Sequence, residues 1–148
     1  MSRLPGAVLY VCSLNRVRSP MAAALTRKLY GHAVEVESCG LELREDIDPM
    51  AAMVMQEVGV DVFGHQPKAF TDCPAAGFDL VVALSAEAWP QVQLATDAAD
   101  RPMVEYWPVQ DPTVEEGPRE MRLEAYRQTR RDLEARITAR FGQPPEWE

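Results

Sequence analysis

Long apolar runs are missing from this chain. The apolar stretch from Ala7 to Cys12 is shorter than the hydrophobic region of a secretory leader, and no small-residue cleavage site follows it. No stretch approaches transmembrane length. These absences lead to the expectation of a cytoplasmic protein with no membrane partner. Cysteine is scarce too. Cys12, Cys39 and Cys73 are an odd set, without the close spacing of a zinc site or a redox pair, so free thiols and no metal site are expected. Positive charge is in deficit: 15 Lys and Arg stand against 23 Asp and Glu, a net −8, which argues against nucleic acid or an anionic membrane as the main partner. There is no internal repeat and no low-complexity tract.

What is present reads as one domain over residues 1–148, since 148 residues with 47% hydrophobic content suffice for one full core and not for two ordinary ones. Ala7 to Cys12 has the continuous apolar character of a buried strand. Pro20 to Gly31 reads as a helix with Ser19 at its N-cap and Pro20 at its first position. Ala33 to Ser38 alternates Val34 and Val36 with Glu35 and Glu37, as a strand with one exposed face or at an edge does. Asp48-Pro49 repeats the cap-then-proline device and opens a helix through Val54 and Glu57 to Gly59. Residues Val60 to Gly77 read mostly as loop, and Phe78 to Leu84 as the clearest buried strand.

A helix irregular around Pro90 is expected from Ser85 to Ala99, and a fourth strand from Met103 to Trp107. In a last helix, Gly117 to Phe141, the residues Met121, Leu123, Tyr126, Leu133, Ile137 and Phe141 form one apolar stripe, and its arginines, interspersed with Glu124, Asp132 and Glu134, read as a solvated face. The tail GQPPEWE reads as frayed. Strands alternating with helices predict an α/β fold, a four-stranded parallel sheet covered by helices on both faces in three layers.

The segment VLYVCSLNRVRSP carries the chemistry. A loop running into a helix N-terminus offers unpaired N–H groups and a partial positive charge, a cradle for a tetrahedral oxyanion. Here the cradle begins with Cys12, and that field, with Arg18 six residues on, favours the nucleophilic thiolate. Arg18 presents a planar fork able to hold two phosphoryl oxygens. Ser19 is placed to cap the helix and to donate its hydroxyl to the thiolate. Taken alone, Cys12 reads as a small buried residue at a strand end sooner than as a nucleophile, and Asp111 as an Asp-Pro turn or cap. His32 and His65, taken alone, are a helix-end and a loop residue.

Cys12, Asn15, Arg18, Ser19 and Pro20 resemble, in register, the Cys-x-Gly-Asn-x-Cys-Arg-Ser-Pro signature of the low-molecular-weight protein tyrosine phosphatases and the related thioredoxin-coupled arsenate reductases. The similarity extends through VESCG, FDLVVAL and VQDP. It implies a four-stranded parallel sheet and a two-step hydrolysis of phosphomonoesters, such as a phosphorylated protein or a small aryl phosphate, without metal or other cofactor. By that resemblance Cys12 attacks phosphorus, and Arg18 with the loop of Ser13, Leu14, Asn15, Arg16 and Val17 binds the phosphoryl oxygens, a place that phosphate or sulfate would also occupy. Asp111 acts as general acid and base, Asn15 holds a left-handed turn, and Ser38 and His65 buttress Asn15.

The chain departs from that pattern at several places. Leu14 replaces glycine, where a Cβ is expected to crowd the anion or shift an amide. Val17 replaces the second loop cysteine, leaving Cys39 as the candidate redox partner or else a buried small residue. No aromatic clamp is evident unless Trp107 or Trp89 supplies it, and Arg16 with Glu115 and Glu116 suggests a polar mouth. Ser85 stands where the reductase branch carries a resolving cysteine, so arsenate reduction would need an external thiol. A phosphate-binding regulator that has lost catalysis is the third alternative.

Overall fold

The computed structural model describes residues 4–43, 46–95 and 101–144. Four strands are seen among them: β1 (Ala7–Cys12), β2 (Glu35–Gly40), β3 (Leu80–Ala83) and β4 (Met103–Tyr106). They form one sheet in the order β2-β1-β3-β4, every neighbouring pair parallel. Helices α1 (Arg18–Tyr30), α2 (Pro49–Gln56), α3 (Ala88–Gln93) and α4 (Arg119–Phe141) alternate with them.

All six residues of β1 are buried because the strand lies between two sheet neighbours and two helical layers. Side chains alternate across a strand. Val8, Tyr10 and Cys12 therefore face the larger core with Met21 and Leu25 of α1, Ala51 and Met55 of α2, and Leu133 and Ile137 of α4. Leu9 and Val11 face the smaller core with Val81, Ala83, and Ala88 and Val92 of α3. Each such buried aliphatic side chain contributes roughly 1.5–3 kcal/mol relative to exposure. This is the expected three-layer α/β arrangement, and β2 is an edge strand, with β4 at the other edge.

The helices differ from expectation in detail. Helix α1 starts two residues early, with Val17 as its N-cap and no side-chain cap; Ser19 lies inside the first turn and is fully buried. Asp48 does cap α2, its Oδ1 accepting from the amides of Met50 and Ala51. The helix after β3 is only six residues long, and the expected end of that helix, residues 96–99, lies outside the described residues, as do residues 145–148 of the tail. Met121 does not belong to the apolar stripe of α4: it is 56% exposed, and Thr129 is buried on the inner face with Leu123, Tyr126, Leu133, Ile137 and Phe141.

The arginines of α4 do more than meet solvent. Arg127 and Arg130 both pair with Glu57 just beyond α2, at 2.9 and 3.0 Å, and Arg127 also reaches Glu120 and Glu124. The Arg127 guanidinium, followed by Arg130, holds the Glu57 carboxyl down at about 2. This clamp ties α2 to α4. Tyr126 reinforces it from below, its hydroxyl donating to Asp48 Oδ2 at 2.8 Å.

Candidate active site

In an open parallel sheet, ligands bind beyond the carboxyl ends of the strands where the chain order reverses. Here β1 has β2 on one side and β3 on the other, so the reversal falls at Cys12. The loop of residues 13–17 leaves that point and runs into α1. Its carbonyls turn outward and are tied to neighbouring segments: those of Cys12, Ser13, Arg16 and Val17 accept from the amides of Leu41, Glu42, Asp48 and Met21 at 3.0–3.2 Å. The amides of Ser13, Leu14, Asn15 and Val17 donate to no backbone acceptor among the described residues. Carbonyls anchored outside and amides left over inside make a nest for an anion.

Asn15 is what turns the loop. It is fully buried, with φ of 56°, the left-handed region that asparagine tolerates. Its side chain uses its full capacity. Nδ2 donates to Ser19 Oγ at 2.8 Å and to Ser38 Oγ at 3.0 Å, and Oδ1 accepts from the Lys68 amide at 2.8 Å. His65 Nε2 lies 3.0 Å from the Asn15 carbonyl and 3.2 Å from Oδ1. Both are acceptors, so Nε2 carries the proton. Burial holds the His65 ring below the usual imidazole range, with Lys68 and Arg27 adding to the effect against its bond to Asn15.

Leu14 has no positive φ, so its backbone does not need the freedom of glycine. The glycine that matters is Gly40, at the end of β2. A Cβ there would lie 2.7 Å from Asn15 N and Leu14 C and 3.0 Å from Asn15 Cβ, so only a residue without one lets the loop pack against the sheet edge. A glycine closing a strand is the sequence signal for such an approach.

Cys12 Sγ lies 2.9 Å from Ser19 Oγ at the base of the nest. Ser19 also accepts from Asn15 and donates to the Cys39 carbonyl at 3.2 Å. Ser19 thus sits between the Cys12 thiol and the Cys39 carbonyl inside the first turn of α1, and not at the helix N-cap. Arg18 crosses the opposite wall, where Nη1 donates to the carbonyls of Leu84 and Val109 at 3.3 and 3.0 Å, and Nη2 lies 3.9 Å from Asp111 Oδ2. Asp111 is held by Thr113, whose amide and hydroxyl donate to Oδ1 at 2.9 and 2.7 Å. The cap geometry and the position over the pocket thus coexist in one residue.

Cys12, Arg18, Asp111 and Thr113 line a cavity of about 510 Å³ with Ser13, Leu14, Arg16, Val17, Leu41, Glu42 and Glu87. No aromatic ring is among its lining residues. Trp107 is buried in the core against Tyr10 and Phe141, and Trp89 stacks on Tyr106, and neither is among the residues that line the cavity. Glu115 lines a different groove; the acidic lining comes instead from Glu42 and Glu87, which no local pattern had singled out. Ser13 Oγ lies 3.1 Å from Ser85 Oγ and 3.3 Å from Glu87 Oε2, so the serine in the resolving position belongs to the same polar wall.

Cys39 is not a partner for Cys12. Val11 is its neighbour in register, which places it on the other face of the sheet in the smaller core, hydrogen-bonded to Cys73. Burial pushes both of those thiols up. Among the described residues no group of three or more His, Cys, Asp or Glu is placed to hold a metal ion, and no helix is long and apolar enough to cross a membrane.

The fold is a parallel α/β sheet whose switch point carries Cys12 and a loop that runs into a helix. Residues 7–143 match the family model described as low molecular weight phosphotyrosine protein phosphatase, and the chain belongs to that enzyme family. Among its relatives is the glutaredoxin arsenate reductase of a Synechocystis species, 29% identical over 130 residues that cover 88% of this chain and 92% of the relative. A solved arsenate reductase in its phosphate-binding state superposes with a TM-score of 0.74 at 28% identity, covering 90% of this chain and 94% of that one. The tyrosine phosphatase Wzb of Escherichia coli K30, solved with sulphate, shares the fold at a TM-score of 0.75 and 21% identity, over 92% and 96% of the two chains.

Proposed function

We propose that the chain hydrolyses phosphomonoesters, with phosphorylated tyrosine in proteins or a small aryl phosphate as substrate, through a cysteinyl-phosphate. The observation that carries this reading is the convergence of Cys12, Arg18 and Asp111 on one cavity that holds no second thiol. Hydrolysis needs one nucleophile and one proton donor, and both are there.

In the first step Cys12 Sγ attacks phosphorus in line while the P–O bond to the leaving group breaks. Ser19 turns its O–H from the Cys39 carbonyl to the thiolate, and the loop amides with the Arg18 guanidinium hold the three equatorial oxygens. Asp111 gives its proton to the departing oxygen. In the second step Asp111 takes a proton from water, the water oxygen bonds phosphorus, and the S–P bond breaks to return Cys12 and release inorganic phosphate. Phosphate or sulfate fits the same cradle. Every step uses groups of the chain itself, and the proposed setting is the cytoplasm, where three free thiols stay reduced.

A second reading rests on the relatives named as arsenate reductases. Cys12 would bond arsenic with loss of water. An external thiol would then attack Cys12 sulfur, the electron pair of the S–As bond passing to arsenic to give arsenite. A second thiol would reduce the mixed disulfide. Ser85 cannot take the internal role.

Turnover of a generic aryl phosphate across pH by wild type, Cys12→Ser and Asp111→Asn tests the first reading. Cys12→Ser is expected to lose at least about 10⁴-fold and Asp111→Asn roughly 10²- to 10⁴-fold. Turnover surviving Cys12→Ser, or phosphate binding with no turnover at all, overturns it. Thiol-dependent arsenite release without aryl phosphate turnover selects the second reading.

A further inference from the structure

The walls of the cavity carry a charge balance unlike that of a simple anion site. Among the described lining residues Arg16 and Arg18 stand with Glu42, Glu87 and Asp111, three carboxylates to two guanidinium groups. Arg18 and Asp111 answer each other at 3.9 Å. Glu87 is different. Its carboxylate is exposed, accepts only the neutral Ser13 hydroxyl at 3.3 Å, and has no cation within ion-pair distance among the described residues. A solvated carboxylate beside a dianion opposes binding of that dianion, so its place in the wall implies something positive on the ligand to meet it. The wall has no aromatic ring to reward a bare phenyl group, while Leu14 and Leu41 offer only aliphatic contact.

We infer that Glu87 is a specificity-determining residue that receives a cationic side chain of the substrate, and that the preferred substrate is a phosphorylated protein segment with Lys or Arg next to the phosphorylated residue. This rests on the phosphomonoesterase reading and narrows its substrate class. The phosphoryl group enters the nest and the neighbouring ammonium or guanidinium lies along the Ser13, Ser85 and Glu87 wall. Glu87 acts on association and not on the bond-breaking step. Its contribution is an exposed charge pair, worth a few-fold each way and weakened by salt.

The test uses three phosphotyrosine peptides identical except for lysine, alanine or glutamate on both sides of the phosphorylated residue. Wild type and Glu87→Gln are compared by kcat and KM, at low and at physiological salt. Binding of the same peptides to Cys12→Ser and to Cys12→Ser with Glu87→Gln is measured by calorimetry. Wild type is expected to favour the lysine peptide over the glutamate peptide by about tenfold at low salt. Glu87→Gln is expected to shrink that ratio about threefold through KM alone, and salt to shrink it further. Equal preference in wild type and Glu87→Gln, a ratio that changes through kcat, or no difference in binding among the three peptides overturns the inference. Failure of the generic aryl phosphate assay overturns the underlying reading separately, because the calorimetric comparison needs no turnover.

Discussion

Cys12 and Cys39 stand almost side by side on adjacent strands, Cys12 opposite Gly40 and Cys39 opposite Val11, yet their side chains enter opposite faces of the sheet. Cys12 faces a cavity with a hydroxyl at 2.9 Å, a nest of amides and a guanidinium on the wall. Cys39 faces Leu9, Val81 and Ala83, and burial pushes its thiol up. One residue of strand parity separates the setting proposed for a nucleophile from a buried apolar one. On the proposed reading, the side of the sheet on which a thiol emerges, not residue type or proximity, decides its use.

The sharpest way to break this contrast is to exchange thiol for hydroxyl at each place. Cys12→Ser should remove at least about 10⁴-fold of aryl phosphate turnover, whereas Cys39→Ser should keep kcat/KM within about threefold and cost about 1–2 kcal/mol in urea unfolding. A comparable loss of rate in Cys39→Ser would show that the two faces are coupled. Gly40→Ala comes next in size. Its Cβ would press on Asn15 and Leu14, tilting the nest on the Cys12 side without touching the Cys39 side. A loss of about 10- to 100-fold in kcat/KM with about 1–3 kcal/mol of stability is expected, and normal turnover in this variant would show that the loop does not depend on that close approach.

The smallest effect lies away from both thiols. Glu57 has its carboxyl lowered from 4.5 to about 2 by Arg127 and Arg130, so the unfolded chain takes up its proton first as pH falls. The stabilisation is complete above 4.5 and is lost as pH drops toward 2. Because the Glu57 side chain is 38% exposed, solvent screening reduces the worth of the clamp to about 1 kcal/mol. Glu57→Gln should therefore lower stability by about that amount at neutral pH, with less change at the acid end, and leave kcat/KM unaltered. A rate change in this variant would tie the α2 to α4 clamp to the site through Asp48 and the Arg16 carbonyl.

Much of the layout was legible in residue order. Alternating strands and helices led to the sheet, Asp48-Pro49 announced its own cap, and Cys12 and Arg18 around a loop entering a helix pointed to an anion cradle, with Asn15 added by the family resemblance. Of the two uses expected for Ser19, its place beside the Cys12 thiol held and the cap did not, because a serine before a proline has the local pattern of a cap while its bonds to Asn15 and the Cys39 carbonyl form only in the fold. Trp107 and Trp89 were open candidates because a sequence places a tryptophan near a loop without saying which way its ring turns. Arg127 and Arg130 read as a solvated face because their partner, Glu57, is some 70 positions away.

Local order along the chain settled which segments are strand, loop and helix, and it placed a thiol at the end of one strand with a guanidinium at the start of the next helix. These follow from short-range rules of backbone geometry, side-chain period and helix-end electrostatics. Folding in three dimensions decided the rest: that Cys39 lies behind the sheet, that Gly40 admits the loop, that the rings stay in the core, and that Glu42 and Glu87 line the wall. Those outcomes depend on register and packing between segments remote in the chain, where a single-residue shift in pairing would reverse every side chain's face.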